Sequence, residues 1–155
     1  MAKLLEDFVA ITTELNKRGI DYAVCGGWAM AIHGFLRATL DIDLLILTDD
    51  FEKARSAAIE CGFDIDGLPL NFDQGRTKIR RISKIDFESK QLITLDLILV
   101  TEALEDVWAG RQNVTWNQGG YKVVSCGGMI KMKEMAGRNK DLIDLDYLRG
   151  MSDEG

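Results

Sequence analysis

The apolar residues of this chain recur at spacings that predict alternating helices and strands. The apolar positions of the N-terminal segment follow helical spacing: Leu4, Leu5, Phe8, Ile11 and Leu15. They predict a helix over residues 3–18. A short apolar run at 22–25 predicts a buried strand ending at a glycine pair, and residues 28–33 would form one or two helical turns. The run 42–47 predicts a further, strongly apolar strand.

The remaining segments are less regular but continue the alternation. A helix is expected from Thr48 or Asp49 to about Glu60, capped by one of the first two residues and stopped near Gly62. The stretch 64–74 contains Gly, Pro, Asn and three Asp residues and is predicted to be a loop. The later predicted elements are an antiparallel hairpin of strands 78–87 and 92–100, a short helix at 102–110, a hairpin at 114–124, and helices at about 128–136 and 140–148.

This order of elements predicts an α/β (α+β) fold with a mixed sheet and flanking helices. A chain of 155 residues without a low-complexity tract fits one domain, 1–155, with its C-terminal helices from about 128. No apolar run approaches the roughly 20 residues of a membrane span, and acidic residues follow the N-terminus, so we expect a cytoplasmic protein without membrane contact.

Charge and cysteine content narrow the functional classes. The net charge of −6 disfavours a protein that coats nucleic acid, although a local basic patch could still bind a polynucleotide. The three cysteines are widely spaced and form no CxxC pair, which argues against a disulfide framework or a zinc site. Buried, reduced thiols are the simpler interpretation.

Asp41 and Asp43 carry the strongest indication of chemistry. Residues i and i+2 of a strand project to the same face, so two repelling carboxylates would lie side by side at the start of an apolar strand. A divalent cation resolves that repulsion, and carboxylate oxygens suit Mg²⁺, which also binds substrate phosphates. These two residues are therefore candidate metal ligands.

Asp96 and the glycine pair extend this candidate site. Asp96 lies within an otherwise apolar strand, where a buried acid must be paired, metal-bound or catalytic. If its strand adjoins that of Asp43, the carboxylates converge on a site able to hold two metal ions for phosphoryl displacement. Gly26 and Gly27, between a strand and a helical turn, can bring backbone N–H groups close to phosphate oxygens.

These residues also resemble a known family. The series Gly26-Gly27-Trp28-Ala29, His33-Gly34, Arg37, Thr39 and Asp41-Ile42-Asp43-Leu44 resembles the nucleotidyltransferase superfamily related to DNA polymerase beta. It is most similar to minimal members such as the AbiEii-type abortive-infection toxins. Residues 133–141, followed by Asp144-Leu145, resemble the C-terminal signature of that group. Lincosamide-type antibiotic nucleotidyltransferases share the Gly-Gly-Trp and Asp-x-Asp arrangement.

The resemblance implies a nucleotidyltransferase-like fold and a role for each matching residue. Gly26 and Gly27 would cradle the triphosphate, whereas family members often have Gly-Ser at this pair. Asp41 and Asp43 would hold two Mg²⁺ or Mn²⁺ ions, and Asp96 would ligate one ion and help to deprotonate the attacking hydroxyl. The conserved-lysine position is matched by Lys133, which would neutralise phosphate charge.

Other residues keep two interpretations each. Arg37 could bind nucleotide phosphates or balance the carboxylates, and His33 is expected to be packed or capping rather than a general base. Trp28 is expected in the core, with base stacking as the alternative. The basic segment 76–84 would be a solvated strand face or an edge that follows the phosphates of RNA. Asp141 matches the last acidic motif, with its role open.

Three functional hypotheses follow. In the first, the protein transfers a nucleoside monophosphate from an NTP to a hydroxyl of RNA, protein or a small molecule. A role in toxin–antitoxin or phage defence, with a homodimer or an antitoxin as partner, is one form of this hypothesis. The second makes the acceptor an antibiotic of the lincosamide or aminoglycoside type. The third is a non-catalytic nucleotide- or RNA-binding module. The three-carboxylate set favours an enzyme over the third hypothesis.

Overall fold

The protein forms one mixed sheet with helices against it, as a computed structural model describing residues 2–35, 41–136 and 148–150 shows. The strands are β1 Ala23–Cys25, β2 Asp41–Ile46, β3 Ile65–Asp66, β4 Leu70–Phe72, β5 Thr77–Asp86, β6 Gln91–Leu99, β7 Gln112–Trp116 and β8 Gly119–Val123. The helices are α1 Ala2–Lys17, α2 Gly26–Ile32, α3 Phe51–Glu60, α4 Glu105–Ala109 and α5 Cys126–Ala136. Short 3₁₀ turns at Thr48–Asp50 and Glu102–Leu104 lead into α3 and α4.

The strand order places the longest strands beside the candidate carboxylates. The sheet runs β3-β5-β6-β2-β1-β8-β7, and β4 also pairs with β5. Strand β2 is parallel to β6 and antiparallel to β1, while β5 and β6 form an antiparallel hairpin. Strands β2 and β6 are central and mostly buried, and their sequences are almost continuously apolar. An acid within either strand is therefore exceptional.

Helix α1 covers one face of the sheet, and the candidate site lies on the opposite face. Lys84 of β5 binds Asp7 of α1 and the carbonyl of Cys61, so α1 packs on the face to which Lys84 projects. The apolar stripe of α1 is buried there, with Phe8, Ile11 and Leu15 fully covered. Since alternate residues of a strand project to opposite faces, the odd-numbered residues of β5 lie on the other face. That second face carries the candidate site.

Most predicted elements are confirmed, and the α/β (α+β) class with a mixed sheet and flanking helices is correct. The hairpin 78–87/92–100 is found as β5–β6, and the hairpin at 114–124 as β7–β8. The C-terminal helix predicted from about 128 begins at Cys126, where Ser125 Oγ accepts a hydrogen bond from the Gly128 N–H at 3.0 Å. The helix predicted at 140–148 falls almost entirely outside the described residues.

The predicted loop at 64–74 is wrong in part. It contains β3 and β4, which pair with successive parts of β5, Ile65 opposite Ser83 and Leu70 opposite Ile79. Strands of two and three residues are too short to show an alternating pattern, and Gly67 and a proline lie between them. The two short strands cover an edge of β5 that would otherwise be exposed. None of the helices in the described ranges has the length and apolar character needed to cross a bilayer.

Candidate active site

One transverse row of four residues forms the centre of the candidate site. The strand registers pair Cys25 with Asp43, Asp43 with Asp96, and Asp96 with Arg81, across β1, β2, β6 and β5. Paired residues on adjacent strands project to the same face about 5 Å apart. Asp41 lies two residues before Asp43 on the same face, opposite Thr94. The structure therefore brings all three predicted acids together on one face.

Gly26 joins this row from the end of β1. Helix α2 begins immediately after Cys25, and Gly26 adopts φ +64°, in the left-handed region that favours glycine. A Cβ atom built on Gly26 would lie 1.9 Å from Oδ2 of Asp43. The chain thus reverses direction against the Asp43 carboxylate, and only glycine leaves room for that contact.

The third acid, Asp96, is held by an arginine. Arg81 donates two hydrogen bonds to Asp96, from Nε to Oδ1 at 2.8 Å and from the terminal nitrogen Nη2 to Oδ2 at 3.0 Å. The Asp96 side chain is 8% exposed, whereas that of Arg81 is 45% exposed. Hydrogen bonding to Asp96 raises the pKa of Arg81, opposed by burial and assisted by the charges of Asp96, Asp41 and Asp43. The guanidinium consequently stays protonated and provides a permanent positive charge among the carboxylates.

Sequence reasoning missed this role of Arg81, which was grouped with the basic segment 76–84. The segment is largely committed to internal contacts: besides Arg81, Arg76 pairs with Asp73, Lys84 pairs with Asp7, and Arg80 donates to Asn71 Oδ1 at 3.0 Å. These contacts indicate that the bases of the segment stabilise the fold, and they argue against an edge that binds RNA.

Lys133 reaches the same site from α5. Burial raises the pKa of the Cys25 thiol well above its ordinary value; the charge of Asp43 adds to the rise, and that of Lys133 opposes it. Asp96 also contributes to the rise, so the field at Cys25 includes two of the acids and the lysine. Lys133 is thus half-buried, and its charge acts at Cys25, the residue paired with Asp43.

The donor chemistry of Asp41 and Asp43 fits a hard divalent cation. Both side chains are half-buried, lie on one face of β2, and offer carboxylate oxygens. Within the described ranges, however, no three histidine, cysteine or acidic side chains are arranged to hold a metal ion together. Asp96 is instead engaged by Arg81. The structure thus places two half-buried carboxylates of suitable chemistry beside a third carboxylate that is hydrogen-bonded to an arginine.

The remaining candidate residues either make contacts that stabilise the fold or lie outside the described residues. His33 Nε2 lies 2.8 Å from the carbonyl oxygen of Val124, which ties the end of α2 to the end of β8. Trp28 is buried and stacks on Phe8 with ring centroids 4.4 Å apart, so it belongs to the core. Arg37 and Asp141 lie outside the described residues.

Comparison with known proteins gives a fold and no closer relationship. No protein-family model matches the sequence, and no curated protein is similar to it. Among solved structures, a proposed nucleotidyltransferase from Thermotoga maritima aligns over 100% of this chain and 96% of its own, with a TM-score of 0.64 and 15% identity.

Two antibiotic-modifying enzymes also share the fold. ANT(2")-Ia in complex with adenylyl-2"-tobramycin aligns over 98% of this chain and 90% of its own, with a TM-score of 0.65 and 15% identity. The lincosamide adenylyltransferase LnuA, lincomycin-bound, aligns over 93% and 95% respectively, with a TM-score of 0.62 and 12% identity. This chain therefore has the nucleotidyltransferase fold, as predicted.

Proposed function

We propose that this protein is a metal-dependent nucleotidyltransferase that moves a nucleoside monophosphate from an NTP to a hydroxyl group of an acceptor. The observation that supports it is the row in which Asp43 lies between Asp96 and the backbone of Gly26. Placing one buried and two half-buried acids together on one sheet face costs free energy, which a catalytic or cation-binding role explains. The shared fold with nucleotidyltransferases points to the same chemistry.

Each residue of the site has a defined task in this proposal. Asp41 and Asp43 would hold Mg²⁺ or Mn²⁺, two ions in the full mechanism, and Asp96 would be a further ligand of one of them. When bound, the ions would neutralise phosphate charge and orient the reacting groups. The N–H groups around Gly26 and Gly27 face the triphosphate, and Lys133 balances its negative charge.

The reaction itself is a displacement at the α-phosphorus. The acceptor oxygen forms a bond to that phosphorus, the bond to the β-phosphate oxygen breaks, and pyrophosphate leaves. In this proposal the proton of the acceptor hydroxyl passes to Asp96, the carboxylate paired with Asp43 in the strand register. Binding is thus proposed for residues of β2 and α2, and proton transfer for a residue of β6.

A small hydroxyl-bearing molecule is one of the acceptor classes open to this protein. The structures of ANT(2")-Ia and LnuA contain adenylyl-2"-tobramycin and lincomycin, and this chain spans at least nine-tenths of each protein. An antibiotic is therefore the second candidate for this chain, besides an RNA or protein acceptor. The role in toxin–antitoxin or phage defence, with a homodimer or antitoxin as partner, stays a prediction.

The first experiment measures binding of a non-hydrolysable NTP analogue with and without Mg²⁺. Asp41→Asn and Asp43→Asn should each abolish the metal-dependent part of binding. Asp49→Asn is the matched control, because Asp49 is an exposed acid beyond the end of β2. Binding that is indifferent to metal and to both substitutions would instead indicate the non-catalytic nucleotide-binding module.

The second experiment identifies the acceptor. The protein is incubated with each α-³²P-labelled NTP and, separately, total RNA, cell protein, aminoglycosides and lincosamides. Label transferred to one class, and absent with Asp43→Asn, identifies that class and the preferred base. Label on RNA or protein alone would exclude the antibiotic candidate.

A further inference from the structure

The contact between Arg81 and Asp96 occupies the third carboxylate of the proposed metal site. Both carboxylate oxygens accept a hydrogen bond from the same guanidinium. This two-point, charge-assisted arrangement is among the strongest that a carboxylate makes in a protein. A divalent cation that also uses Asp96 must share or take over oxygen atoms that Arg81 already binds.

The backbone of Arg81 is fixed, whereas its charged end borders solvent. Arg81 pairs with Asp96 in the hairpin, and its carbonyl oxygen accepts a hydrogen bond from the Gly67 N–H at 2.8 Å. A Cβ on Gly67 would lie 3.2 Å from Cβ of Arg81, so the turn after β3 is packed against the start of the side chain. The side chain of Arg81 is nevertheless 45% exposed, in contrast to 8% for Asp96. Its guanidinium can therefore leave Asp96 while the strand stays in place.

The contact between Arg81 and Asp96 also balances the negative charge of the site. Asp41, Asp43 and Asp96 share one sheet face, and the charges of all three act on Arg81. Like charges at such separations repel, and the guanidinium offsets that repulsion when no cation is bound. A metal ion supplies the same compensation more strongly because it carries two charges. The guanidinium and the ion thus compete for one group of carboxylates.

We propose that Arg81 is a positioning residue that holds Asp96 in the metal-free protein and opens from it when a divalent cation binds at Asp43 and Asp96. Arg81 therefore sets the affinity for the metal ion. This inference rests on the proposed metal-dependent function. Arg81 would thereby determine when the Asp96 carboxylate becomes available to the ion or to the acceptor hydroxyl.

The test titrates Mn²⁺ into the protein and follows the free ion by electron paramagnetic resonance. Arg81→Gln removes the competing fork and should bind Mn²⁺ about tenfold more tightly than the unaltered protein, which corresponds to about 1.4 kcal/mol. Arg81→Lys keeps the charge but loses the two-point contact and should fall between the two. The matched control is Arg80→Gln, which removes the same charge one residue away, at a side chain that binds Asn71 instead. Its affinity should stay within about twofold of the unaltered protein, because Debye screening weakens charges without direct contact.

Thermal unfolding supplies a second readout that does not depend on turnover. In EDTA, Arg81→Gln should melt at a lower temperature because Asp96 loses its partner, and Mn²⁺ should raise its melting temperature more than that of the unaltered protein. Equal or weaker Mn²⁺ binding by Arg81→Gln and Arg81→Lys would overturn the role of Arg81 and leave the proposed function intact. If neither variant nor the unaltered protein binds Mn²⁺, both proposals fail.

Discussion

Gly26 and Asp43 are in such close contact that a single methyl group on Gly26 would overlap the Asp43 carboxylate, with 1.9 Å between the Cβ and Oδ2. This contact joins the glycine pair to the Asp-x-Asp sequence, since Gly26 directly follows β1 and Asp43 lies in the neighbouring strand β2. The glycine pair thus has a structural role besides the phosphate binding proposed for it. Gly26 also limits where the Asp43 carboxylate, a proposed metal ligand, can point.

We predict that Gly26→Ala abolishes metal-dependent NTP binding and destabilises the fold. Alanine at φ +64° costs about 1–2 kcal/mol, and the overlap with Asp43 adds to that cost. Urea unfolding and NTP-analogue titration measure the two effects.

Gly19→Ala is the matched control for this prediction. Gly19 has φ +70°, but a Cβ there would meet nothing within 4 Å, so the substitution introduces backbone strain alone. It should lower the free energy of unfolding without weakening NTP binding. Equal loss of binding in both variants would show that strain, and not the contact with Asp43, is responsible.

The convergence of the three acids could be predicted from the sequence, whereas the arginine among them could not. Alternation places Asp41 and Asp43 on one face whatever the rest of the fold does. The partner of Asp96 depends instead on the register of the β5–β6 hairpin. The predicted turn at 88–90 is centred on Ser89 and would put Ile82 opposite Asp96; the observed register puts Arg81 there. A shift of one residue reverses the face of every side chain.

The ion-pair partners of the basic segment 76–84 also could not be predicted from the sequence. Its bases were visible in the sequence, but their acidic partners come from α1, from a turn before β5 and from β6. Only the tertiary fold brings Asp7 to Lys84, 77 positions away. A local charge count therefore overstated the positive surface available to RNA.

We predict that the Asp7–Lys84 pair, although buried, can be replaced by apolar residues at little cost. The two side chains are 5% and 15% exposed, and Asp7 Oδ2 has no hydrogen-bond partner among the described residues. Lys84→Met alone leaves a buried carboxylate and should cost about 3–5 kcal/mol, while Asp7→Leu with Lys84→Met should recover most of that loss. Chemical denaturation of both single variants and the double variant completes the cycle. A double variant no more stable than Lys84→Met would contradict the prediction.

We predict that His33 supports the structure and takes no part in proton transfer. Its Nε2 donates to the carbonyl of Val124 at 2.8 Å, so the imidazole links α2 to the end of β8. His33→Gln should lower the free energy of unfolding by about 1 kcal/mol, the typical contribution of one such hydrogen bond. The rate of nucleotidyl transfer and its pH profile should stay unchanged at a temperature where the variant is folded. A lost limb in the pH profile would instead assign general-base chemistry to His33.

The last prediction concerns Cys25, the thiol in the central row of the site. Burial first, and then the charge of Asp43, raise the pKa of this thiol well above its ordinary value of 9.0. The folded protein therefore keeps the proton at a pH where the unfolded chain loses it. Ionisation then favours the unfolded state, so this contribution to stability is complete below pH 9.0 and is lost as the pH rises from there towards the raised pKa.

Two measurements check this behaviour of Cys25. In the folded protein at pH 8, a thiol reagent should label Cys25 more slowly than Cys61 and Cys126, because those two are only partly buried. Between pH 8 and pH 10.5, the unaltered protein should lose more unfolding free energy than Cys25→Ala. Comparing the pH dependence rather than the absolute stability removes the cost of the missing sulfur atom, which is the same at both pH values. Parallel pH curves for the two proteins would mean that Cys25 ionises equally in the folded and unfolded states, against the burial that the structure gives it.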